Sequence, residues 1–485
     1  MRQAHTVEEV RAAEAALAGQ PLMDRAVAGL AATCARLLTG RRGRVYGSRV
    51  LVLAGSGDNG ADALFAGARL ARRGAAVTAV LLSPDRAHPA ATAALRAAGG
   101  RVTVDQNVGL ADFRRADLML DGIVGIGGRG GLRAEALPYT GEHDGIMVAV
   151  DLPSGVDADT GEVAGAAIRA QVTVTFGTYK PALLIDPGAS YAGAVQLVPI
   201  GLRVPPARVQ ALQHAELAAL LPRPDTESDK YRRGVLGLLA GSERYPGAAL
   251  LAVAGALHGG AGAVRYQGRP AEEVVRRHPE VLLTPGRVQA WVVGPGSGED
   301  AAEALSDALA GEVPVLVDAD ALTELARRGP GALAGRSAPT LLTPHAGEAA
   351  RLLGGEVTAD RITAARLRYA RELAARYGAT VLLKGSTTVV ARPDGAARVN
   401  PTGTSWLATA GSGDVLAGLA GSLLAAGLDP WDAAPVAAYL HGLAGRLAAG
   451  GGTGGGTGGG APVTATEIAA ALPAAWRGAG LGGGP

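Results

Sequence analysis

Short runs of β-branched and leucine-rich residues alternate with helical segments through most of the 485 residues, and this alternation limits the fold more than any single motif does. Strands separated by helices long enough to cross over pair in parallel, with helices on both faces of the sheet. In the first half the expected strands are Arg49 to Ala54, Ala76 to Leu82, Arg101 to Val104, Asp117 to Asp121, Ile146 to Asp151 and Gln171 to Phe176, a doubly wound, Rossmann-like pattern. The alternation stops at Gly201 to Thr226, where Pro205, Pro206, Pro222 and Pro224 surround one short amphipathic stretch, HAELAALL; this reads as a linker. It restarts with Val235 to Ala240, Ala290 to Val293, Val313 to Asp318, Thr340 to Thr343 and Thr380 to Lys384, with helices such as Ala359 to Tyr377 between them. The expectation is an α/β chain of two domains, a Rossmann-like sheet over 1–215 and a second α/β domain over 216–485.

Composition narrows the partners. Lys+Arg 46 against Asp+Glu 44 leaves a net charge of +2 with no basic block, so no nucleic-acid footprint is expected and the ligands should be small molecules. The single cysteine, Cys34, excludes an intrachain disulfide framework and reads as a small packing residue. The start, MRQAHTVEEVRAAEAALA, lacks the continuous apolar core of a secretory signal, so a cytoplasmic protein is expected. The most apolar windows, Gly247 to Val264 and Gly411 to Leu428, are dominated by Gly and Ala; they read as buried helices, with no membrane partner. The glycine-rich segment 450–461 reads as a loop, VTATEIAAALPAAWR as a helix with Thr466 at its N-cap, and 478–485 as a tail.

In the first half, GSGDNGADA (Gly55 to Ala63) leaves a strand and opens a helix, and its glycines let backbone N–H groups approach a phosphate. A second glycine-rich loop, GIVGIGGRGG, follows Asp121 at the end of another strand, and VDLPSGVDADTG places Asp151 at a third strand end with Ser154 in a Pro-Ser-Gly turn. Such loops converge on the carboxyl edge of an open sheet, where α/β folds bind ligands. Lys180, in TFGTYKP, reads either as a surface residue or as a charge partner at the site.

Taken in order, GxGxNGxD, LDGIxGxG, VDLPSGVDADTG and TFGxxKP resemble the NAD(P)H-hydrate epimerase domain, the YjeF N-terminal family. The resemblance implies a K+ site at Asn59, Asp121 and Ser154, and Asp151 as the substrate-side carboxylate. It places hydrated NAD(P)H (NAD(P)HX) against Asp58, Asn59, Gly60, Ala61, Asp62, Gly125, Ile126, Gly127, Gly128, Arg129, Gly130, Gly131 and Asp151. The first loop departs from the family's usual GNNGGDG, with Asp58, Ala61 and Ala63 replacing an asparagine and two glycines. A carboxylate at Asp58 would repel a pyrophosphate.

The strongest local signal is ATAGSGDVLAG, Ala408 to Gly418. The N–H groups of Gly411, Ser412 and Gly413 form an anion hole at the positive end of an apolar helix, with Asp414 in its first turn. Upstream, LLKGSTTVV brings Lys384 off a strand into a turn suited to phosphates and ribose, and LLTPHAGEAARLL offers His345 for substrate and Glu348 for metal-bound water.

KYRRG, GSERYPGAALLA, VVGPGSG, DADAL, TPHAGE, LKG and AGSGDVLAG together resemble the ADP-dependent NAD(P)H-hydrate dehydratase of the ribokinase-like superfamily. The resemblance implies substrate contacts at Ala248, Gly296, His345 and Asp414, with Asp414 as the base. It implies adenine-nucleotide contacts at Lys384, Gly385, Ser386, Thr387, Thr388 and Gly413, with Mg²⁺ accompanying ADP, and a homo-oligomer. The turn NPTGTSWLATAG departs at Ser405 and Trp406, where a local loop change is expected. The joint order of both motif sets implies a bifunctional repair enzyme acting on NAD(P)HX and ADP. Two other readings fit part of the pattern: a small-molecule kinase of the ribokinase-like superfamily, against which the TPHxGE segment argues, and a binding role without catalysis for the first domain.

Overall fold

The computed structural model describes residues 1–128, 130–450 and 460–480. Arg129, most of the glycine-rich segment and the end of the tail, all named above, lie outside the described residues. The chain divides into two compact units, one formed by Gln3–Arg208 and one by Met1–Arg2 with Val209–Pro485.

The first unit carries a seven-stranded parallel sheet in the order Arg101–Thr103, Ala76–Leu81, Arg49–Ala54, Leu118–Gly122, Ile146–Val150, Val172–Phe176, Ala194–Val198. The central strand shows why both faces are covered. Val50, Val52 and Ala54 join the core under the helices Leu22–Arg42 and Asp58–Arg72, while Leu51 and Leu53 join Phe113 and Tyr139 on the other face. Period-two alternation of apolar side chains on both faces is what a doubly wound sheet requires. The direction of winding reverses at Arg49–Ala54 and Leu118–Gly122, so the loops after those two strands open a crevice between them. Cys34 is fully buried in this core.

In the second unit the sheet runs Val209–Ala211, Ala397–Val399, Val389–Ala391, Thr380–Leu383, Thr340–Leu342, Val315–Val317, Ala290–Val293, Val235–Leu239, Ala263–Tyr266. Its strands are parallel except that Val389–Ala391 is antiparallel to both neighbours. The apolar windows form the buried helices Pro246–His258 and Ser412–Ala425, which pack against each other and against Pro430–Ala448 and Ala465–Gly480. Among the described residues no helix is long and apolar enough to cross a membrane.

Three expectations are corrected. The segment read as a linker holds the strand Val209–Ala211, paired in parallel with Ala397–Val399, and the helix His214–Leu220. The helix expected over Ala359 to Tyr377 breaks at Ala365, whose φ of −136° and ψ of 50° are not helical, giving Ala359–Ala364 and Arg366–Tyr377. Ile362 and Leu367 are both buried; on a continuous helix, at about 100° per residue, they would face about 140° apart. The last helix is capped by Thr464, not Thr466: Thr464 Oγ1 accepts from Glu467 N at 3.3 Å and Glu467 accepts from Thr464 N at 2.8 Å. Thr466 has Ala469 three residues on and so no carboxylate to complete a capping box.

Candidate functional sites

In the first unit, the loop after Arg49–Ala54 enters the helix Asp58–Arg72 beneath a cavity of about 490 Å³. The close approach of two loops sets the sequence here: a Cβ at Gly55 would lie 1.9 Å from the Ile123 carbonyl oxygen. Asp58, Asn59, Asp62, Asp151 and the loop glycines Gly125, Gly127, Gly128, Gly130 and Gly131, with Ile126, line the cavity. Gly60 and Ala61 are buried in the helix beneath it, and a Cβ at Gly60 would lie 2.3 Å from the Gly55 carbonyl oxygen.

Asp151 has a left-handed backbone, φ 67°, at its strand end. Its Oδ1 accepts from Thr175 Oγ1 at 2.9 Å, from Phe176 N at 3.1 Å and from Lys180 Nζ. Lys180 is therefore the charge partner, not a surface residue: it is 1% exposed and also donates to the Phe176 carbonyl at 3.1 Å. An ammonium taken out of water needs such a partner.

Asp121 is fully buried, which pushes its carboxyl up to about 6. It accepts from Ser154 Oγ at 2.6 Å and from Ser154 N at 2.8 Å. Ser154 Oγ also accepts from Val124 N at 2.9 Å, joining this pair to the second glycine loop. Asn59 donates through Nδ2 to the Val150 carbonyl at 2.5 Å and packs on Gly125, where an added Cβ would lie 2.4 Å from Asn59 Oδ1.

Some cavity residues carry no motif. Arg11 and Glu14, from the helix Val7–Ala15, line the pocket. Burial raises the carboxyl of Glu14 and pushes that of Asp62 up to about 8, the latter reinforced by Asp151, Asp58 and Glu14. Their only sequence signal is an amphipathic helix, which says nothing of what packs over it.

In the second unit, Gly411 (φ 84°) turns the chain into the helix Ser412–Ala425, a left-handed entry that glycine adopts without a Cβ clash. Asp414 faces a cavity of about 560 Å³ together with Ala248, Gly296, Tyr245 and Asp320. Burial, with Asp318 nearby, pushes its carboxyl up to about 7, while Lys384 acts in the opposite direction.

Lys384 donates to Asp318 Oδ1 at 2.7 Å and lies 3.9 Å from Glu348 Oε2. Burial alone would lower its ammonium, but Asp318 and Glu348 hold it above the usual lysine range. A Cβ at Gly413 would stand 3.5 Å from Lys384 Nζ, so the lysine lies beside the first turn of this helix, and the Ser412 N–H expected in an anion hole donates instead to the Thr409 carbonyl at 3.3 Å. Gly385 to Thr388 form the turn into Val389–Ala391, with Thr387 buried.

His345 caps the helix Ala346–Leu352, its Nδ1 accepting from Gly347 N at 3.0 Å and Glu348 N at 3.3 Å. That leaves the proton of the neutral ring on Nε2, 3.4 Å from Glu348 Oε1. The structure thus links Glu348, Lys384 and Asp318 by ion pairs, with the neutral His345 ring beside Glu348, and brings Ala248, Gly296 and Asp414 to one cavity. Asp318 has no role implied by the motifs; its place at the end of the strand Val315–Val317, inside DADAL, was the available signal.

Residues 19–182 match the family described as YjeF-related protein N-terminus, and residues 236–454 the family described as NAD(P)H-hydrate dehydratase. The bifunctional NAD(P)H-hydrate repair enzyme Nnr of Mycobacterium leprae (strain TN) is 50% identical over 464 residues, 93% of this chain and 94% of the relative. The chain belongs to the bifunctional NAD(P)H-hydrate repair enzymes. Another relative of that name, from Moorella thermoacetica, is 37% identical with 84% of each chain covered. Among solved structures, the ADP/ATP-dependent NAD(P)H-hydrate dehydratase of Bacillus subtilis, co-crystallized with ATP/Mg²⁺, is 33% identical at a TM-score of 0.50, covering 56% of this chain and 99% of its own. The ribokinase-like and YjeF-type halves expected from the motifs are the halves these families match.

Proposed function

We propose that the first unit interconverts the R and S epimers of NADH or NADPH hydrated at the nicotinamide C5–C6 bond, and that the second dehydrates the S epimer with ADP, giving AMP and phosphate. The observation that carries this is Asp414 at a helix N-terminus, facing the Ala248–Gly296 cavity, with Lys384 beside the first turn of that helix.

Asp414 takes the proton of the C6 hydroxyl as that oxygen attacks the β-phosphorus of ADP, whose bond to the bridging oxygen breaks to release AMP. Phosphate then departs from C6, where hydroxide would leave poorly, and loss of a C5 proton restores the double bond. Lys384 and the helix N-terminus bear the transferring charge. Gly385, Ser386, Thr387 and Thr388 hold the nucleotide, and His345, its Nε2–H outward from the cap, contacts the substrate. Asp318 and Glu348 are the carboxylates suited to Mg²⁺, which neutralises phosphate charge when bound with ADP.

In the first unit Asp151, fixed by Thr175, Phe176 N and Lys180, takes and returns the C6 hydroxyl proton while the C6–N1 bond opens and recloses on the other face. Asn59, Asp121 and Ser154 fit K⁺: Asp121 is a fully buried carboxylate whose own contacts are hydrogen bonds alone among the described residues, so a monovalent cation would offset its charge and tie two loops. The glycine loops, including Arg129, bind the dinucleotide. A homo-oligomer and a cytoplasmic setting belong to the same reading.

The test incubates the chain with mixed hydrate epimers, with and without ADP, and follows the reduced-nicotinamide absorbance. Full recovery of both epimers with ADP, and none without it, is expected. Net formation of a stable phosphorylated product would favour a kinase instead.

A further inference from the structure

The motif KYRRG leads into the strand Val235–Leu239, yet Arg232 and Arg233 lie away from the catalytic cavity and line a different one of about 900 Å³. That volume falls within the range of small-molecule sites. Arg223 and Arg477 line it as well, so four guanidinium groups share one concavity. Among the described residues none of the four is ion-paired with a carboxylate; the contacts of Arg232 and Arg233 are to the carbonyl oxygens of Glu227 at 3.1 Å and Gly260 at 3.3 Å. The two carboxylates in the lining are engaged elsewhere. Asp432 pairs with Arg398 at 2.5 Å, and Asp429 caps its helix through Asp432 N at 2.9 Å.

The cavity also has an aromatic wall. Trp476, from the helix Ala465–Gly480, is half-buried in the lining, and Gly260, whose left-handed φ of 95° favours glycine, lies across from its indole. His258 donates its Nδ1 proton to the Ala469 carbonyl at 2.8 Å, which leaves Nε2 of the neutral ring as an acceptor. Unpaired guanidinium groups favour phosphate, an indole favours a flat heteroaromatic ring, and an imidazole acceptor suits an exocyclic amine.

We infer that this cavity is a second nucleotide site, taking a phosphorylated purine such as a nucleoside monophosphate. It is separate from the catalytic cavity. The helices Pro246–His258 and Ser412–Ala425 begin at the catalytic cavity with Ala248 and Asp414 and end at this one with His258 and Ala426. At about 1.5 Å per residue the two ends lie roughly 20 Å apart. The assignment does not depend on the chemistry proposed for Asp414.

Equilibrium dialysis of the full chain with AMP should find two sites per chain. The variant Arg232→Ala/Arg477→Ala should keep one, with dehydration at saturating ADP within about twofold of wild type. AMP should quench an emission component that Trp476→Phe removes, and added salt should weaken this site. Adenosine and inorganic phosphate, titrated separately, should each bind at least about tenfold more weakly than AMP. A single AMP site that survives in the double variant, or a titration identical in Trp476→Phe, would overturn the proposal. Phosphate binding as well as AMP does would overturn the nucleotide class, since the ring would then contribute nothing.

Discussion

The two glycine-rich loops, GSGDNGADA and AGSGDVLAG, look alike in sequence, since each leads a helix with an aspartate in its first turn, but the structure commits the lysine at each site differently. Around the first helix, Asp58, Asp62, Glu14 and Asp151 share a cavity whose buried cation, Lys180, is already committed to Asp151. Around the second, Asp414 also has carboxylate neighbours, Asp318, Asp320 and Glu348, but the half-buried Lys384 is held by Asp318 and Glu348 and lies beside the first turn of the helix. A helix N-terminus offers the same partial positive charge in both places. The second helix N-terminus has a lysine beside it, held there by two other carboxylates, whereas the first cavity's buried lysine is taken by Asp151 itself.

The largest expected effect breaks the second site alone. Asp414→Asn keeps the shape of the side chain but cannot accept the hydroxyl proton, so the turnover of dehydration should fall by about 10²- to 10⁴-fold. Nucleotide affinity should change little and epimerisation should persist. Dehydration within a few-fold of wild type would refute the role of Asp414.

At the first site, Asp121→Ala and Asn59→Ala should each abolish epimerisation of the R hydrate while the S hydrate is still repaired. Unchanged epimerisation in both would remove the site from consideration. Lys180→Met should have a comparable functional effect, and because it leaves Asp151 buried without its cation it should also cost about 3 to 5 kcal/mol of stability, read from denaturant unfolding of the full chain. A variant as stable as wild type would mean that Asp151 is solvated.

A pH profile sharpens the contrast without mutation. Asp414 must be deprotonated to act and its carboxyl is pushed up to about 7, so kcat/KM for dehydration should rise with pH and level off above about pH 7. A flat profile between pH 5 and pH 8 would show that Asp414 titrates in the ordinary carboxylate range.

The smallest effect concerns the family departure in the first loop. Asp58 helps to hold the Asp62 carboxyl up, so Asp58→Asn should lower that group from about 8. With one repelling charge fewer, the KM for hydrated cofactor should fall a few-fold. An unchanged KM would mean that the pyrophosphate lies elsewhere in the cavity.

Much of this was legible in the residues. Apolar runs marked six strands of the first sheet and, in the second, Val235–Leu239, Ala290–Val293, Val315–Val317, Thr340–Leu342 and Thr380–Leu383, because a strand buried on both faces must be apolar throughout. The glycine loops announced themselves because backbone close approach excludes a Cβ, and Asp414 because its loop and helix are contiguous. Ala194–Val198 and Ala263–Tyr266 went unmarked, as did Val209–Ala211, Val389–Ala391 and Ala397–Val399, each of these three too short to show a period and formed by pairing with its neighbours.

Sequence by itself determined the family, the two α/β sheets and the glycine-rich turn that leads into Ser412–Ala425, since each is written in contiguous residues whose spacing carries the physical constraint. Only the tertiary structure decided that Lys180 is buried against Asp151, that Arg11 and Glu14 reach the first cavity, and that Asp318 and Glu348 share Lys384. It also gathered Arg223, Arg232, Arg233 and Arg477 from segments far apart in the chain. Burial and charge pairing depend on which segments meet in space, and a local pattern holds no record of that.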